Sequence, residues 1–288
     1  MIVMLWLENS LYRPDSHNTM YRNQLSPPIF PAAWASEFGE DRYGLWMAFT
    51  YHGVRQVLRW IPPGTFMMGS PDSERGRWED EVLHEVTLTK GFWLAETTVT
   101  QVLWQAVKGD NPSRFKGDNR PVEQVSWQDA QDFIQSLNTA LQTLQPDYVL
   151  RLPTEAEWEY ACRAGTSTPF SFDGDVSLAK VNYRGTWDDY SAWGEGALQA
   201  TAEVKSYPCN ACGLYEMHGN VWEWCSDWYG GYPTEAVTNP VGAPTGSERV
   251  VRGGSWRDYG RDVRSAIRIR GDADNRNLNL GFRLALGL

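Results

Sequence analysis

Histidine and cysteine are scarce in this chain, four of each in 288 residues. The histidines (His17, His52, His84, His218) are scattered and show neither an HxxxH nor a facial-triad spacing. No Ser-His-Asp arrangement, P-loop or GxGxxG motif is present either. Four cysteines (Cys162, Cys209, Cys212, Cys225) are too few for a disulfide framework in a chain of this size. "CNAC" has a Cys-x-x-Cys spacing without a second matched pair. It leaves two readings open: a zinc site from Cys209, Cys212, Cys225 and His218, or thiols packed as small hydrophobes.

Long apolar runs are also missing, and none approaches the length that spans a bilayer. The opening "MIVMLWLENSLYRPD" reaches Glu8 without a basic n-region or a small-residue cleavage site, so no signal peptide is read and a cytoplasmic location is expected. Positive charge is in deficit: the net charge is −10, which argues against nucleic acid or an anionic membrane as partner. The last absence is local. Residues 257–288 contain no Trp, Met, Glu, Gln or Lys, yet the preceding residues hold 15, 7, 18, 11 and 5 of them. At that density about seven would be expected in the last stretch.

What is abundant is tryptophan, 15 residues, which implies a core of large rings with polar N–H handles set in irregular structure. Residues 1–45 read as an N-terminal extension, polar and interrupted by "SPPIFPAAW", able to dock another subunit. Residues 46–288 read as one domain. "YGLWMAFTYHGVRQVLRWIPPGTFMMGS" alternates apolar and polar residues as turn-linked strands do, and "HEVTLTKGFWLAETTVT" reads as another strand pair. Thr100 caps a helix that ends at Gly109, Ser126 opens a second, "SWQDAQDFIQSLNTALQ", and Thr154 with Glu157 opens a third that ends at Gly165. Glu155, Glu157 and Glu159 fit capping and surface pairing better than acid–base catalysis. Beyond Thr166 no long helix is expected. "GNVWEW" predicts a Gly-Asn turn into a strand with Trp222 and Trp224 on one face and Glu223 on the other.

Several phrases, in order from about Trp60 to Leu288, resemble the formylglycine-generating enzyme family, also called the sulfatase-modifying factor domain. They are "PPGTFMMGSP", "NPSRFKGDNRPVEQVSWQDAQDF", "RLPTEAEWEYACRAGT", "GLYEMHGNVWEWCSDWY", "RVVRGGSW" and "GFRLA". The resemblance implies a C-type-lectin-like α+β fold with two or three helices, short antiparallel strands and much irregular structure. It also implies calcium, with Glu216, the carbonyls of Gly219 and Val221, and Glu223 as ligands. A second family calcium site would use Asn182 and the carbonyl of Tyr183, but its expected Asp falls near Gly196. Oxidases of the family hold copper through two cysteines after "GGS". No cysteine follows Cys225 here, so no copper and no formylglycine-generating activity are expected. A further branch uses iron supplied largely by an added helical domain, for which the first 60 residues are too short.

The same fold serves the variable proteins of diversity-generating retroelements, in which a reverse transcriptase randomises template adenines in the C-terminal coding segment. An AAC codon can then become any codon ending in C, a set without Trp, Met, Glu, Gln and Lys. Arg257, Asp258, Tyr259, Asp262, Ile267, Ile269, Gly271 and Leu278 are each reachable from AAC by adenine changes, and Asn275, Asn277 and Asn279 fit unchanged positions. Residues 252–285 are therefore read as a variable region. Arg257, Asp258, Tyr259, Asp262, Ile267, Ile269, Gly271, Asn277, Leu278 and Asn279 would contact a protein or other macromolecular ligand, with Tyr259, Arg257 and Ile269 as anchors. Arg264, Ser265, Ala266, Arg268, Gly281, Phe282 and Arg283 would be fixed scaffold. The expected function is non-catalytic display of a diversified ligand-binding segment. The alternatives are drift of loop sequence in a non-catalytic member, or a family oxidoreductase or pyoverdine-type tailoring enzyme with a non-standard site.

Overall fold

Residues 25–141, 149–188 and 192–287 are described by a computed structural model. Residues 1–24 of the expected extension, Gln142 at the end of the expected second helix, and Leu288 lie outside them. Alternating side chains over "GLWMAFTY" and "VRQVLRWI" make strands β2 (Gly44–Tyr51) and β3 (Val54–Ile61). His52 and Gly53, at φ 46° and 81°, join them, the positive φ pair that a tight hairpin needs. β1 (Glu37–Asp41) pairs in register with β2, so the boundary expected at residue 45 falls inside a strand. Trp60 Nε1 also donates to the carbonyl of Leu25 (2.7 Å), which ties the residues ahead of β1 to the same body.

The later strands are β4 (Gly64–Met68), β5 (His84–Leu88), β6 (Phe92–Ala95), β7 (Val149–Arg151), β8 (Trp222–Trp228) and β9 (Val237–Thr238). β10 (Glu248–Arg252), β11 (Arg268–Asp272), β12 (Leu280–Gly281) and β13 (Ala285–Gly287) complete them. They form a six-stranded sheet ordered β1-β2-β3-β6-β13-β7, a four-stranded sheet β11-β10-β8-β12 and a three-stranded sheet β4-β5-β9. The expected pair in "HEVTLTKGFWLAETTVT" is corrected. β5 pairs with β4 and β9, whereas β6 pairs with β3 and β13, so the two strands belong to different sheets. Pairing is antiparallel except for β12 with β8 and β5 with β9.

Three helices stand where their caps place them. In α1 (Gln101–Lys108) the Thr100 hydroxyl accepts from the Leu103 N–H, and Gly109 closes the helix at φ 82°. α2 (Trp127–Ala140) and α3 (Glu155–Arg163) each carry a complete capping box, Ser126 with Asp129 and Thr154 with Glu157. α3 ends one residue earlier than expected, with Ala164 itself in the left-handed region. Beyond Thr166 the described residues contain no α-helix, and their only helical turn is a 3-10 turn, Gly260–Val263.

The helices α1 and α2 pack on the six-stranded sheet through Trp104 and Phe133, whose rings stack at 5.3 Å, with Phe282 edge-on. Trp222 and Trp224 join this core, and Trp224 Nε1 donates to the buried carbonyl of Val125 (3.0 Å). Trp158 is buried in a second cluster, where its Nε1 donates to Glu223 (2.8 Å). Trp224 and Trp158 thus bury their rings while their N–H groups find partners, whereas Nε1 of Trp34 and of Trp93 is buried without one. The described residues make an α+β fold of short strands, the helices α1, α2 and α3, and long connecting loops.

Candidate functional site

β10 delivers the chain to Gly253 and Gly254. At Gly254 (φ 73°) a Cβ would lie 2.3 Å from the carbonyl oxygen of Asp262, so only glycine lets the following segment fold back this closely. Four buried guanidiniums then fix residues 252–285 from beneath. Arg252 donates to the carbonyls of Ser265, Ala266 and Ile267 and pairs with Glu159. Arg264 pairs with Glu74 and Glu81 and donates to the carbonyls of Gly76 and Arg261. Arg268 forms a two-pronged pair with Glu155 (2.8 Å each) and donates to the Gly230 carbonyl (2.9 Å). Arg283 grips Glu223 (2.6 and 2.7 Å) and the carbonyls of Ala95 and Tyr215. Fork geometry satisfies a carboxylate and nearby carbonyls at once, which a lysine could not do.

These contacts correct the reading of α3. Glu157 caps as expected and pairs with Arg151, but Glu155 and Glu159 are buried ion-pair partners and not surface groups.

The candidate ligand contacts divide in three. Arg257, Ile269 and Asn277 are exposed. Tyr259, Asp262 and Leu278 are half-buried: the Tyr259 ring lies 5.0 Å from the Arg184 guanidinium, Asp262 sits beside Arg261, and Leu278 gives its carbonyl to Trp256 Nε1. Ile267, Gly271 and Asn279 are buried and are corrected, and Asp258 is half-buried with its carboxylate turned inward. Ile267 is 1% exposed among Trp222, Trp224 and Val251. A Cβ on Gly271 would meet the Trp224 ring at 2.9 Å. Asn279 is buried and donates from Nδ2 to the Ser255 hydroxyl (2.8 Å). The Asp258 carboxylate accepts from Trp222 Nε1 (2.8 Å) and from the Ser255 hydroxyl, and burial pushes its pKa up to about 6.

Side chains outside the C-terminal segment complete the face. Trp193 stacks on Trp256 (5.8 Å, 12° between planes), and Phe115 meets Trp256 edge-on (5.3 Å). The Arg184 guanidinium lies over both Trp193 (4.7 Å) and Tyr259, and its backbone N–H donates to the Asp258 carbonyl. None of the three was selected from sequence, because nothing in their local pattern ties them to the C-terminal segment. The only trace was an aromatic, Trp193, inside a polar Gly-rich loop. Trp256, 7% exposed, is the buried platform, in contact with Trp193, Phe115 and the Leu278 carbonyl.

The calcium ligand set does not come together as the resemblance implies. Both oxygens of Glu223 are taken by Arg283, and one also accepts from Trp158, so a divalent cation there would face a guanidinium. Glu216 is buried with one bare oxygen, and so is the side-chain oxygen of Asn182. Bare acceptors such as these suit a cation, whereas Glu223 is already occupied by Arg283. The cysteines do not converge either. Cys209 and Cys212 line different cavities, Cys225 is buried in the core, and Cys162 lies 3.7 Å from His218. Burial pushes the Cys162 thiol up to about 12 and the Cys212 thiol to about 11, as for inert packed thiols.

A loop-rich α+β body whose C-terminal segment is clamped from below and presents aromatic and charged side chains above is a C-type-lectin-like domain. Residues 53–288 match the sulfatase-modifying factor enzyme 1-like domain, and the chain belongs to that family. The chain is similar to Treponema denticola variable protein 1, with 30% identity and a TM-score of 0.74, covering 84% of this chain and 99% of that one. PvdO from Pseudomonas aeruginosa is similar at 26% identity and a TM-score of 0.65, covering 88% and 99%. The formylglycine-generating enzyme of Mus musculus is 35% identical over 211 residues, 70% of this chain and 53% of that enzyme. The chain thus spans about half the length of that curated relative. No described helix is long and apolar enough to cross a membrane.

Proposed function

We propose that the protein displays a ligand-binding face whose side chains are exchanged by a diversity-generating retroelement, and that it works by recognition and not by catalysis. The observation that carries this reading is the division within one segment. Arg257, Tyr259, Ile269 and Asn277 reach solvent or the half-buried rim, while Arg252, Arg264, Arg268 and Arg283 beneath them are locked in ion pairs. Residues 257–288 also keep to the restricted alphabet, and the likeness to a variable protein supports the same reading. Binding would rest on a preorganised platform, Trp256 stacked with Trp193 and Tyr259 held beside Arg184, with Arg257 and Arg184 for polar or acidic groups of a protein partner.

The test is genomic. The surrounding DNA should carry a reverse transcriptase and a near-copy of the 3′ coding end that differs only where the copy has adenine; finding neither would sink the proposal. A second reading, an oxidoreductase or tailoring enzyme with a non-standard site, is favoured by the 35% identity to the mouse enzyme. Copper-dependent turnover of a cysteine-containing sulfatase peptide by the purified protein would establish it and displace the first.

A further inference from the structure

A second cavity, of about 260 Å³, is lined by none of the residues of the binding face. Its floor is the Glu155–Arg268 pair and its walls include Met68, His84, Asp227, Tyr232 and Val237, with Val241 also lining it. The floor is electrostatically closed. Arg268 spends its guanidinium on Glu155 and the Gly230 carbonyl, and the Tyr232 hydroxyl donates to Glu155.

Two buried groups on the walls keep unused capacity. Asp227 is 3% exposed and takes two hydrogen bonds, from the Glu155 N–H (3.0 Å) and the Ser226 hydroxyl (2.9 Å), both at Oδ2. Its Oδ1 accepts none. The nearest other cation, Arg249, lies between the Trp127 and Trp228 rings, donates to the Ser226 carbonyl and forms no ion pair with Asp227. His84 is 3% exposed, and its Nδ1 lies 2.9 Å from the Val82 carbonyl. A carbonyl only accepts, so Nδ1 carries a proton, and in the neutral ring Nε2 is left as an acceptor. Burial and the neighbouring Glu155 push the Asp227 carboxyl up to about 7, as expected for an acid without a cation.

A cavity whose free groups are a carboxylate oxygen and a ring nitrogen, between apolar walls, asks for a ligand that donates, carries positive charge and has an apolar body. We propose that this cavity binds a small alkylammonium ligand, whose nitrogen donates to Asp227 Oδ1 and His84 Nε2 and whose carbon body packs on Met68 and Val237. An ammonium has three donors and no acceptor, which matches this lining. A neutral alcohol would leave the acid uncompensated, and a carboxylate would be repelled. The site is independent of the display reading and stands or falls without it.

Isothermal titration of the full-length chain with cyclohexylammonium, against cyclohexanol and cyclohexanecarboxylate, tests this. Saturable binding is expected for the ammonium, at least tenfold weaker binding for the alcohol, and none for the carboxylate. Asp227→Asn, which keeps the shape and the Oδ2-type acceptor, should weaken ammonium binding at least tenfold. Val241→Trp, at a position 71% exposed, leaves the buried groups untouched and should weaken it by partly blocking entry. Equal affinity for cyclohexanol, or undiminished ammonium binding by either variant, overturns the proposal.

Discussion

Arg257 and Arg264 belong to one short segment and behave as different kinds of residue. Arg257 is exposed, whereas Arg264 is wholly buried and holds two carboxylates, Glu74 and Glu81, contributed by a distant loop. The same contrast separates Ile269, at the rim, from Ile267, buried in the main core cluster. The difference teaches that exchangeability here is set by whether a side chain has a partner inside, and not by whether its codon can vary.

The largest break in this comparison is at the clamp. Arg264→Ala leaves Glu74 and Glu81 buried without their cation, and removing one partner of a buried pair costs about 3–5 kcal/mol. Chemical denaturation should show that loss, while Arg257→Ala should stay within about 0.5 kcal/mol of the parent. Equal effects would erase the distinction. Next in size is the isoleucine pair: Ile267→Ala opens a hole in the main core cluster and should cost about 2–4 kcal/mol. Ile269→Ala, at a site 38% exposed, should cost less than half as much in the same experiment.

A smaller effect tests the inward turn of Asp258. Its folded pKa, about 6, lies above the ordinary value for an unfolded aspartate because the carboxyl is buried. The folded state therefore holds this proton more tightly than the unfolded state. Ionised Asp258 costs stability above about pH 6, and that cost is relieved as pH falls toward 4. Relative to Asp258→Asn, the wild-type melting temperature should climb between pH 7 and pH 4. His218, whose pKa is lowered by burial to about 4, works in the opposite direction but cancels in this difference. Parallel pH profiles for the two proteins would mean that Asp258 faces solvent after all.

Helix positions were legible in the sequence because caps are local: Thr100, Ser126 and Thr154 each announce a helix within a few residues of its start. The strand after "GNVWEW" was legible for the same reason, with Asn220 at φ 64° turning the chain into β8. What was not legible depends on partners far along the chain. β5 and β6 look like a hairpin because they are adjacent, yet β6 is claimed by β3 and by β13 near the C-terminus. Glu155 and Glu159 look like surface residues of a capped helix until Arg268 and Arg252 arrive to bury them. The restricted alphabet located the segment but could not assign its faces, because the 3-10 turn and the edge strand β11 break any fixed alternation.

The smallest expected change in stability carries the largest expected change in recognition. Tyr259 is half-buried, with its ring near the Arg184 and Arg261 guanidiniums. Replacing Tyr259 with Asn, and Arg257 with Ser, uses residues that the AAC alphabet permits and leaves the platform of Trp193, Trp256 and Phe115 in place. Each replacement should shift the unfolding free energy by about 0.5 kcal/mol or less. A partner selected from a display library against the parent should lose at least tenfold in affinity for the double variant, and a second selection should yield partners for the variant that the parent rejects. The platform supplies area common to both proteins, so discrimination must come from the two exchanged side chains. If the same partners bind parent and variant equally, the face at Tyr259 and Arg257 is not where recognition occurs, and the contrast with the clamped residues beneath it would concern folding alone.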